Sequence, residues 1–324
     1  NLNILPFDYD LGERYAAKYQ SDVEKILNSK HMIYENEGAM IIDTRRDTDN
    51  APMPPYMWRD SRGANTYDST DLAAVYCRKK TDNPDIIIYF TDLRQSLHFE
   101  QLFRVADMSG IYPYEKFEHI GYGTINGKDG KPFKTRDGKA AGLDDILNTA
   151  NEAVRVRIAE SGKHLDEETI KSIALAAVKF NDLIHDLKSD YIFGPSAITS
   201  FEGKTGPYIL YTAVRLNSVL RRADIKISKP ESFELSIEER NLLIEIMDFE
   251  HTLLSAYENR ATDMVANYAY DLCQLVNNFY HNCPILREDI DDKTKAGRLY
   301  IAKLAFDTLA TVIDLMGLKI PNEM

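Results

Sequence analysis

The sequence has few cysteines and no long apolar run, and both absences exclude classes of protein. Its 324 residues contain three cysteines, Cys77, Cys273 and Cys283, which share neither a disulfide pattern nor a metal-binding spacing. We therefore expect a reducing compartment, the cytoplasm, and no bound metal. No apolar run reaches the roughly 18 residues that a membrane-spanning helix needs, so no membrane partner is expected.

The start of the chain and its charge add two further expectations. It begins with Asn1 instead of Met and shows no secretory signal pattern, which indicates a processed, tagged or truncated product. The chain has 51 Asp and Glu but only 39 Lys and Arg, which argues against general binding to nucleic acid, including DNA. Local patches of basic residues decide such binding, however. The basic residues cluster at two places, which are solvated surface or phosphate-binding sites: Lys128, Lys131, Lys134, Arg136 and Lys139, and Arg215, Arg221 and Arg222.

Strand and helix signals alternate in the first part of the chain. A short strand is predicted at residues 40–42 and a buried parallel strand at residues 85–90, which contain three consecutive isoleucines. A helix over residues 96–108, ended by Gly110, and a strand over residues 117–125 complete a βαβ unit. This order predicts a doubly wound nucleotide-binding sheet, with ligands beyond the carboxyl ends of its strands.

From about residue 143 onward the pattern is helical. Asp166 is a predicted helix cap, and Ser236 with Glu239 is a predicted capping box for a helix that ends near residue 255. The last long helix is predicted over residues 299–315. The fold class is thus α/β plus all-α. We predict three segments: the second half of an α/β domain (1–150), a helical connecting region (151–205) and an α-helical domain (206–324).

Three side chains suit the recognition of a planar cation. Asp71 supplies a carboxylate and Tyr67 a hydroxyl, the groups that a guanidinium needs, while Gln95 follows the isoleucine-rich strand and can bond an amino acid or a ribose. The alternative is purely structural, with Thr70 capping a helix that begins at Asp71. His98 is either a site residue or a packed core histidine.

Two later segments resemble phosphate and RNA sites. The first combines the glycines of Glu118-His119-Ile120-Gly121-Tyr122-Gly123 with the basic loop Lys131-Pro132-Phe133-Lys134-Thr135-Arg136. The second is Gly203 to Arg222, in which Tyr208, Tyr211 and Arg215 share one helical face, either as core or as a binding surface.

Together these segments resemble arginyl-tRNA synthetase over residues 35–324. The chain is similar in its Tyr-x-x-x-Asp-Leu and Arg-Gln-x-x-His segments, its relaxed Lys-Met-Ser-Lys-Ser loop and its closing Leu-Lys-Ile-Pro-Asn-Glu-Met. The resemblance implies a Rossmann-like class I catalytic domain followed by an anticodon-binding bundle. The implied arginine-binding residues are Tyr67, Asp71 and Gln95. The implied ATP-binding residues are His119, Gly121, Gly123, Phe133 and Lys134, the catalytic residues Lys131 and Lys134, and the tRNA-binding residues Arg215, Tyr280 and Met324.

The implied reaction joins L-arginine to tRNA(Arg) through an arginyl adenylate, with ATP as a substrate that carries Mg²⁺. The implied enzyme is a monomer. The sequence departs from the family in one respect, because the first class I signature, His-Ile-Gly-His, is absent. Position 122 is Tyr, so His119-Ile120-Gly121 is not that signature. We therefore expect a C-terminal portion that is inactive alone. The alternatives are a stand-alone, non-catalytic tRNA-binding module and another class I synthetase, such as the cysteinyl enzyme.

Overall fold

The computed structural model describes residues 2–127, 129–131, 142–223, 227–230 and 233–324. These residues form two compact units. The N-terminal unit comprises residues 5–123, and the C-terminal unit comprises residues 124–324 together with the start of the chain up to Ile4. The division at residues 150 and 205 that the sequence suggests stays a prediction.

The N-terminal unit is a mixed α/β structure. Its elements, in chain order, are α1 (Glu13–Ala17), α2 (Gln20–Ser29), β1 (Tyr34–Asn36), β2 (Ala39–Ile42), β3 (Tyr56–Arg59), α3 (Tyr67–Thr81), β4 (Ile87–Asp92), α4 (Ser96–Met108) and β5 (Phe117–Tyr122). Strands β1, β2 and β3 form an antiparallel sheet, and β4 pairs with β5 in parallel. A 3₁₀ turn, Leu93–Gln95, connects β4 to α4.

The predicted βαβ unit is present as β4, α4 and β5, with Ile87 opposite Phe117. Helix α4 has the predicted bounds, and Gly110, at φ +71°, turns the chain after it. The prediction that strand β4 is buried is wrong for one of its two faces. Ile87 packs into the core under α4, whereas Ile88 and Phe90 on the other face are 45% and 58% exposed. The predicted strand to residue 125 stops at Tyr122.

Helix α3 starts four residues earlier than the sequence suggested. Thr66 is its cap, because the Thr66 hydroxyl accepts from the amide of Ser69 at 3.2 Å and the Ser69 hydroxyl accepts from the amide of Thr66 at 3.1 Å. Thr70 lies inside the helix and its hydroxyl donates to the Thr66 carbonyl at 3.2 Å. Asp68 and Asp71 therefore both lie in the first turns of α3, where the helix dipole favours a negative charge.

The C-terminal unit is mainly helical. Its elements are β6 (Ile125–Asn126), α5 (Leu143–Glu160), α6 (Glu167–Leu183), β7 (Tyr191–Ile192), α7 (Pro195–Ile198), α8 (Gly206–Arg222), α9 (Ile237–Asn259), α10 (Thr262–Asn282) and α11 (Asp292–Leu315). Strands β6 and β7 form a short parallel pair. Its largest core cluster joins α6, α8, α10 and α11.

Local sequence signals set the ends of these helices. The predicted caps are confirmed: Asp166 accepts from the amide of Thr169 at 2.7 Å, and Ser236 and Glu239 form the capping box of α9. Helix α11 begins well before the predicted residue 299, because Asp291 caps it. Within the described ranges, no helix has the length and apolar content to cross a membrane.

Candidate active site

Two carboxylates of α3 and one histidine of α4 form a hydrogen-bonded triad in the N-terminal unit. The Nε2 atom of His98 lies 2.8 Å from Oδ2 of Asp71, and its Nδ1 atom lies 3.1 Å from Oδ1 of Asp68. Asp68 and Asp71 are three residues apart, so they lie on one face of α3. All three side chains are 17% to 21% exposed, so a ligand can reach them although most of their surface is buried.

The charge of this triad follows from the environment of His98. Burial alone would lower the pKa of His98, but the hydrogen bonds to Asp68 and Asp71 and their negative charges outweigh it and raise the pKa to about 9. His98 is therefore an imidazolium at neutral pH and donates from both ring nitrogens. The triad carries one net negative charge, which suits a cationic ligand.

The two other predicted arginine-binding residues lie at the starts of the same helices. Tyr67 is the first residue of α3, and its ring centre lies 4.8 Å from that of His98. Gln95 is exposed at the end of the 3₁₀ turn that leads into α4. Tyr67 thus lies beside the triad, in contact with His98. Gln95 lies beyond the carboxyl end of β4, where ligands bind in such sheets.

His119, predicted to bind ATP, lies on β5 close to this end of the sheet. Its Nε2 atom is 2.9 Å from the hydroxyl of Thr91, and its ring stacks on Phe99 at 4.8 Å. Burial lowers the pKa of His119, and the positive charge of His98 lowers it further. His119 is therefore neutral where His98 is charged, and it can exchange hydrogen bonds without adding charge.

The structure shows why a residue without a side chain is needed at position 121. A Cβ atom on Gly121 would lie 2.6 Å from Cδ1 and 2.9 Å from the Cα atom of Leu93. The backbone of β5 therefore approaches the 3₁₀ turn after β4 closely at this glycine. Gly123 follows β5 and is partly buried. Contact of either glycine with a nucleotide stays a prediction.

The predicted basic loop is only partly described. Lys131 is exposed in a turn in which its carbonyl accepts from the amide of Gly127 at 2.7 Å. Phe133 and Lys134 lie outside the described residues. Among the residues that are described, no group of three His, Cys, Asp or Glu side chains is placed to hold a metal ion.

The predicted tRNA-binding residues of the C-terminal unit lie along the contact between α8 and α10. The guanidinium of Arg215 lies 3.7 Å from the ring centre of Tyr280, a cation–π contact, and donates to Oδ1 of Asn277 at 3.4 Å. Asn277 in turn donates to the hydroxyl of Tyr208 at 2.8 Å. Tyr208 is thus bonded between helices, while Tyr211 is 37% exposed. We name Tyr208, Arg215, Asn277 and Tyr280 the α8–α10 seam.

Met324 is anchored in the same unit. It packs against two core clusters, and its carbonyl accepts from Nζ of Lys163 at 3.2 Å. The structure therefore brings Tyr67, Asp71 and His98 together, and it brings Arg215 and Tyr280 together. Asp68 and Asn277 escaped the sequence prediction. The Asp68–Asp71 spacing was a usable signal for the first, and a position three residues before Tyr280 on the same helix was one for Asn277.

Comparisons with known proteins assign the class of both parts of the chain. Residues 1–194 match the family described as tRNA synthetases class I (R), catalytic domain. Residues 209–324 match the DALR anticodon binding domain. The chain thus combines part of a class I aminoacyl-tRNA synthetase catalytic domain with a helical anticodon-binding domain, which confirms the predicted fold class.

Sequence relatives identify the family. The arginine–tRNA ligase of Agathobacter rectalis is 38% identical over 340 aligned positions, which cover 100% of this chain and 57% of that protein. The arginine–tRNA ligase of Francisella tularensis subsp. novicida is 38% identical over 327 positions, covering 98% of this chain and 55% of that protein. The chain belongs to the arginyl-tRNA synthetase family. It spans little more than half the length of these relatives.

Solved structures agree with this assignment. Arginyl-tRNA synthetase from Thermus thermophilus superposes with a TM-score of 0.85 at 25% identity, over 100% of this chain and 61% of that one. The enzyme from Plasmodium falciparum gives 0.82 at 25% identity, over 100% and 55%. The predicted family is confirmed, and the alternative of another class I synthetase is set aside.

Proposed function

We propose that this chain carries the arginine-binding and tRNA-binding parts of an arginine–tRNA ligase. That enzyme would use ATP to form arginyl adenylate and then transfer the arginine to tRNA(Arg). The observation that carries the proposal is the Asp68–His98–Asp71 triad, which offers an oriented, partly exposed carboxylate with net negative charge beside Tyr67. A carboxylate and a hydroxyl are the partners that a guanidinium requires.

The roles of the other predicted residues are part of the same proposal. Tyr67 and Gln95 would complete the arginine site. His119, Gly121, Gly123, Phe133 and Lys134 would contact ATP, which arrives with Mg²⁺ as a substrate complex. Lys131 and Lys134 would stabilise the charge that develops on pyrophosphate as it leaves, and electrostatic stabilisation of this kind is usually the largest single contribution to catalysis. A cytoplasmic location and a monomeric state stay predictions.

The α8–α10 seam and Met324 are the proposed contact with the anticodon loop. Unstacked loop bases are recognised by stacking on aromatic rings and on guanidinium planes, and Tyr280 and Arg215 offer one of each. Arg215 lies over one face of the Tyr280 ring, and the ring is partly buried against the helical core, so a base would stack on the guanidinium or on the exposed part of the ring.

Substitution of Asp71 tests the arginine site. Asp71→Asn keeps the size of the side chain and removes its charge, so we expect L-arginine to bind at least 10-fold more weakly, as for loss of a partly buried charge partner. Titration calorimetry with L-arginine measures this, and L-citrulline, which has a neutral group in place of the guanidinium, should bind poorly to the unaltered chain. Asp82→Asn, on an exposed residue at the end of α3, is the matched control. Equal affinity of Asp71→Asn and the control would remove Asp71 from the site.

The stand-alone tRNA-binding module is the second candidate, and the match of residues 209–324 to an anticodon binding domain supports its RNA-binding part. The 324 residues contain no His-x-Gly-His, the signature that contacts ATP phosphates in this class. We therefore predict no arginine-dependent ATP–pyrophosphate exchange by this chain alone, even with tRNA(Arg) present. Incorporation of labelled pyrophosphate into ATP measures it. Turnover near that of a full-length relative would contradict the prediction and eliminate the non-catalytic module.

A further inference from the structure

We propose that His98 is a positioning residue that holds the carboxylate of Asp71 in the orientation needed to receive a guanidinium. This inference depends on the proposed arginine site and extends it to a residue that would not itself touch the substrate. The geometry that supports it is that each ring nitrogen of His98 contacts a different carboxylate of α3. Nε2 lies 2.8 Å from Asp71, and Nδ1 lies 3.1 Å from Asp68.

The lone pairs of Asp71 leave room for a substrate. An ionised carboxylate has about four acceptor positions. His98 occupies one of these on Oδ2 of Asp71. Asp68 is tied more firmly, because its Oδ2 atom also accepts from the amide of Met57 at 3.0 Å. Asp71 is therefore the member of the pair with more free acceptor capacity, while Asp68 anchors the imidazole.

Two aromatic rings contact the ring of His98. The ring centres of Tyr67 and Phe99 lie 4.8 Å and 5.0 Å from that of His98. These contacts limit the rotation of the imidazole when Asp71 engages a ligand. The imidazolium also offsets the repulsion between two carboxylates on one helix face, which would otherwise push the Asp71 side chain aside.

Two conservative substitutions separate the two halves of this arrangement. The amide nitrogen of Gln reaches about as far as Nε2 of histidine, whereas that of Asn reaches about as far as Nδ1. His98→Gln should therefore keep the bond to Asp71, and His98→Asn should keep only the bond to Asp68. We expect L-arginine affinity to fall by less than about 3-fold in His98→Gln and by about 10-fold or more in His98→Asn and His98→Ala. His251→Gln, on an exposed residue of α9, is the control.

The pH profile adds a readout that a merely structural residue would not move. The groups that face His98 are Asp68, Asp71 and Tyr67 on α3 and His119 on β5. The imidazolium loses its proton near pH 9, and with it one of its two donors. The L-arginine affinity of the unaltered chain, divided by that of His98→Gln, should therefore fall between pH 8 and pH 10. Ionisation of the ligand itself cancels in that ratio.

Three outcomes would overturn the proposal: equal losses in His98→Gln and His98→Asn when circular dichroism shows both folded, a flat affinity ratio, or a neutral His98 at pH 7. The last is measured by NMR of the chain with ¹⁵N-labelled histidine, which needs no variant to fold. Failure of the unaltered chain to bind L-arginine would instead refute the proposed function. Even then, NMR of Asp71→Asn tests the pairing, because the His98 titration should move to lower pH.

Discussion

At the residue scale, two neighbouring histidines of the N-terminal unit are in opposite protonation states. Both rings contact Phe99, His98 at 5.0 Å and His119 at 4.8 Å. Two carboxylates raise the pKa of His98 to about 9, while burial and the charge of His98 lower the pKa of His119. Environments that separate the pKa values of adjacent groups are typical of functional sites. Here they place a fixed positive charge and a neutral hydrogen-bonding ring side by side.

The raised pKa of His98 predicts a pH-dependent stability. A group whose pKa is higher in the folded state stabilises it fully below the unfolded pKa, near 6.5, and this contribution disappears as pH rises through about 9. We expect the difference in free energy of unfolding between the unaltered chain and His98→Gln to shrink by about 1–3 kcal/mol between pH 6 and pH 10. Urea titrations at several pH values measure it. A difference that does not change with pH would mean that folding leaves the pKa of His98 unchanged.

At the element scale, the sequence predicts helices whose ends depend on local contacts. Asp166 and Ser236 were identifiable as caps because their partners lie three residues away. The sequence did not predict the start of α3 correctly, because the partner of Thr66 in the capping box is Ser69. Serine is uncommon at that third helical position, where Glu or Gln is usual. Local sequence signals could predict neither which face of β4 is buried nor the triad of Asp68, Asp71 and His98. They depend on how α4 packs on the sheet and on α3, across a separation of 27 residues between Asp71 and His98.

The packing of α8 on α6 gives the element-scale prediction. A Cβ atom on Gly206 would lie 2.0 Å from the carbonyl oxygen of Ala176, a backbone atom that cannot turn aside. Gly206→Ala should therefore lower the free energy of unfolding by about 2–3 kcal/mol, although alanine is the better helix former. Gly194→Ala is the control, since its Cβ would lie 3.8 Å from the nearest atom. Urea unfolding followed by circular dichroism compares the two, and equal stabilities would show that α6 and α8 can separate without cost.

At the scale of the whole molecule, charge limits how this chain can bind RNA. The net charge is −12, so long-range attraction to a polyanion is not available and binding must depend on local contacts. The contact that we propose is the pair of seam residues Arg215 and Tyr280, whose guanidinium and ring centre lie 3.7 Å apart. Family resemblance suggests Arg215 and Tyr280 as RNA contacts, which stays a prediction, whereas the bond of Asn277 to Arg215 depends on how α8 and α10 pack and could not be predicted from the local sequence.

The last prediction concerns tRNA binding through Tyr280. Tyr280→Ala removes a ring worth about 1–3 kcal/mol per stacked base, so tRNA(Arg) affinity should fall by about 5- to 100-fold, while Tyr280→Phe should bind nearly normally. Tyr257→Ala is a matched control, because Tyr257 is 69% exposed and pairs with Arg260 in a similar cation–π contact at 4.7 Å. Filter binding at several salt concentrations measures affinity and should give a shallow salt dependence, equivalent to about two to four phosphate contacts. Circular dichroism checks that the helices persist. If Tyr280→Ala and Tyr257→Ala bind alike, Tyr280 is a packing partner of Arg215, and the RNA surface lies elsewhere on the helical unit.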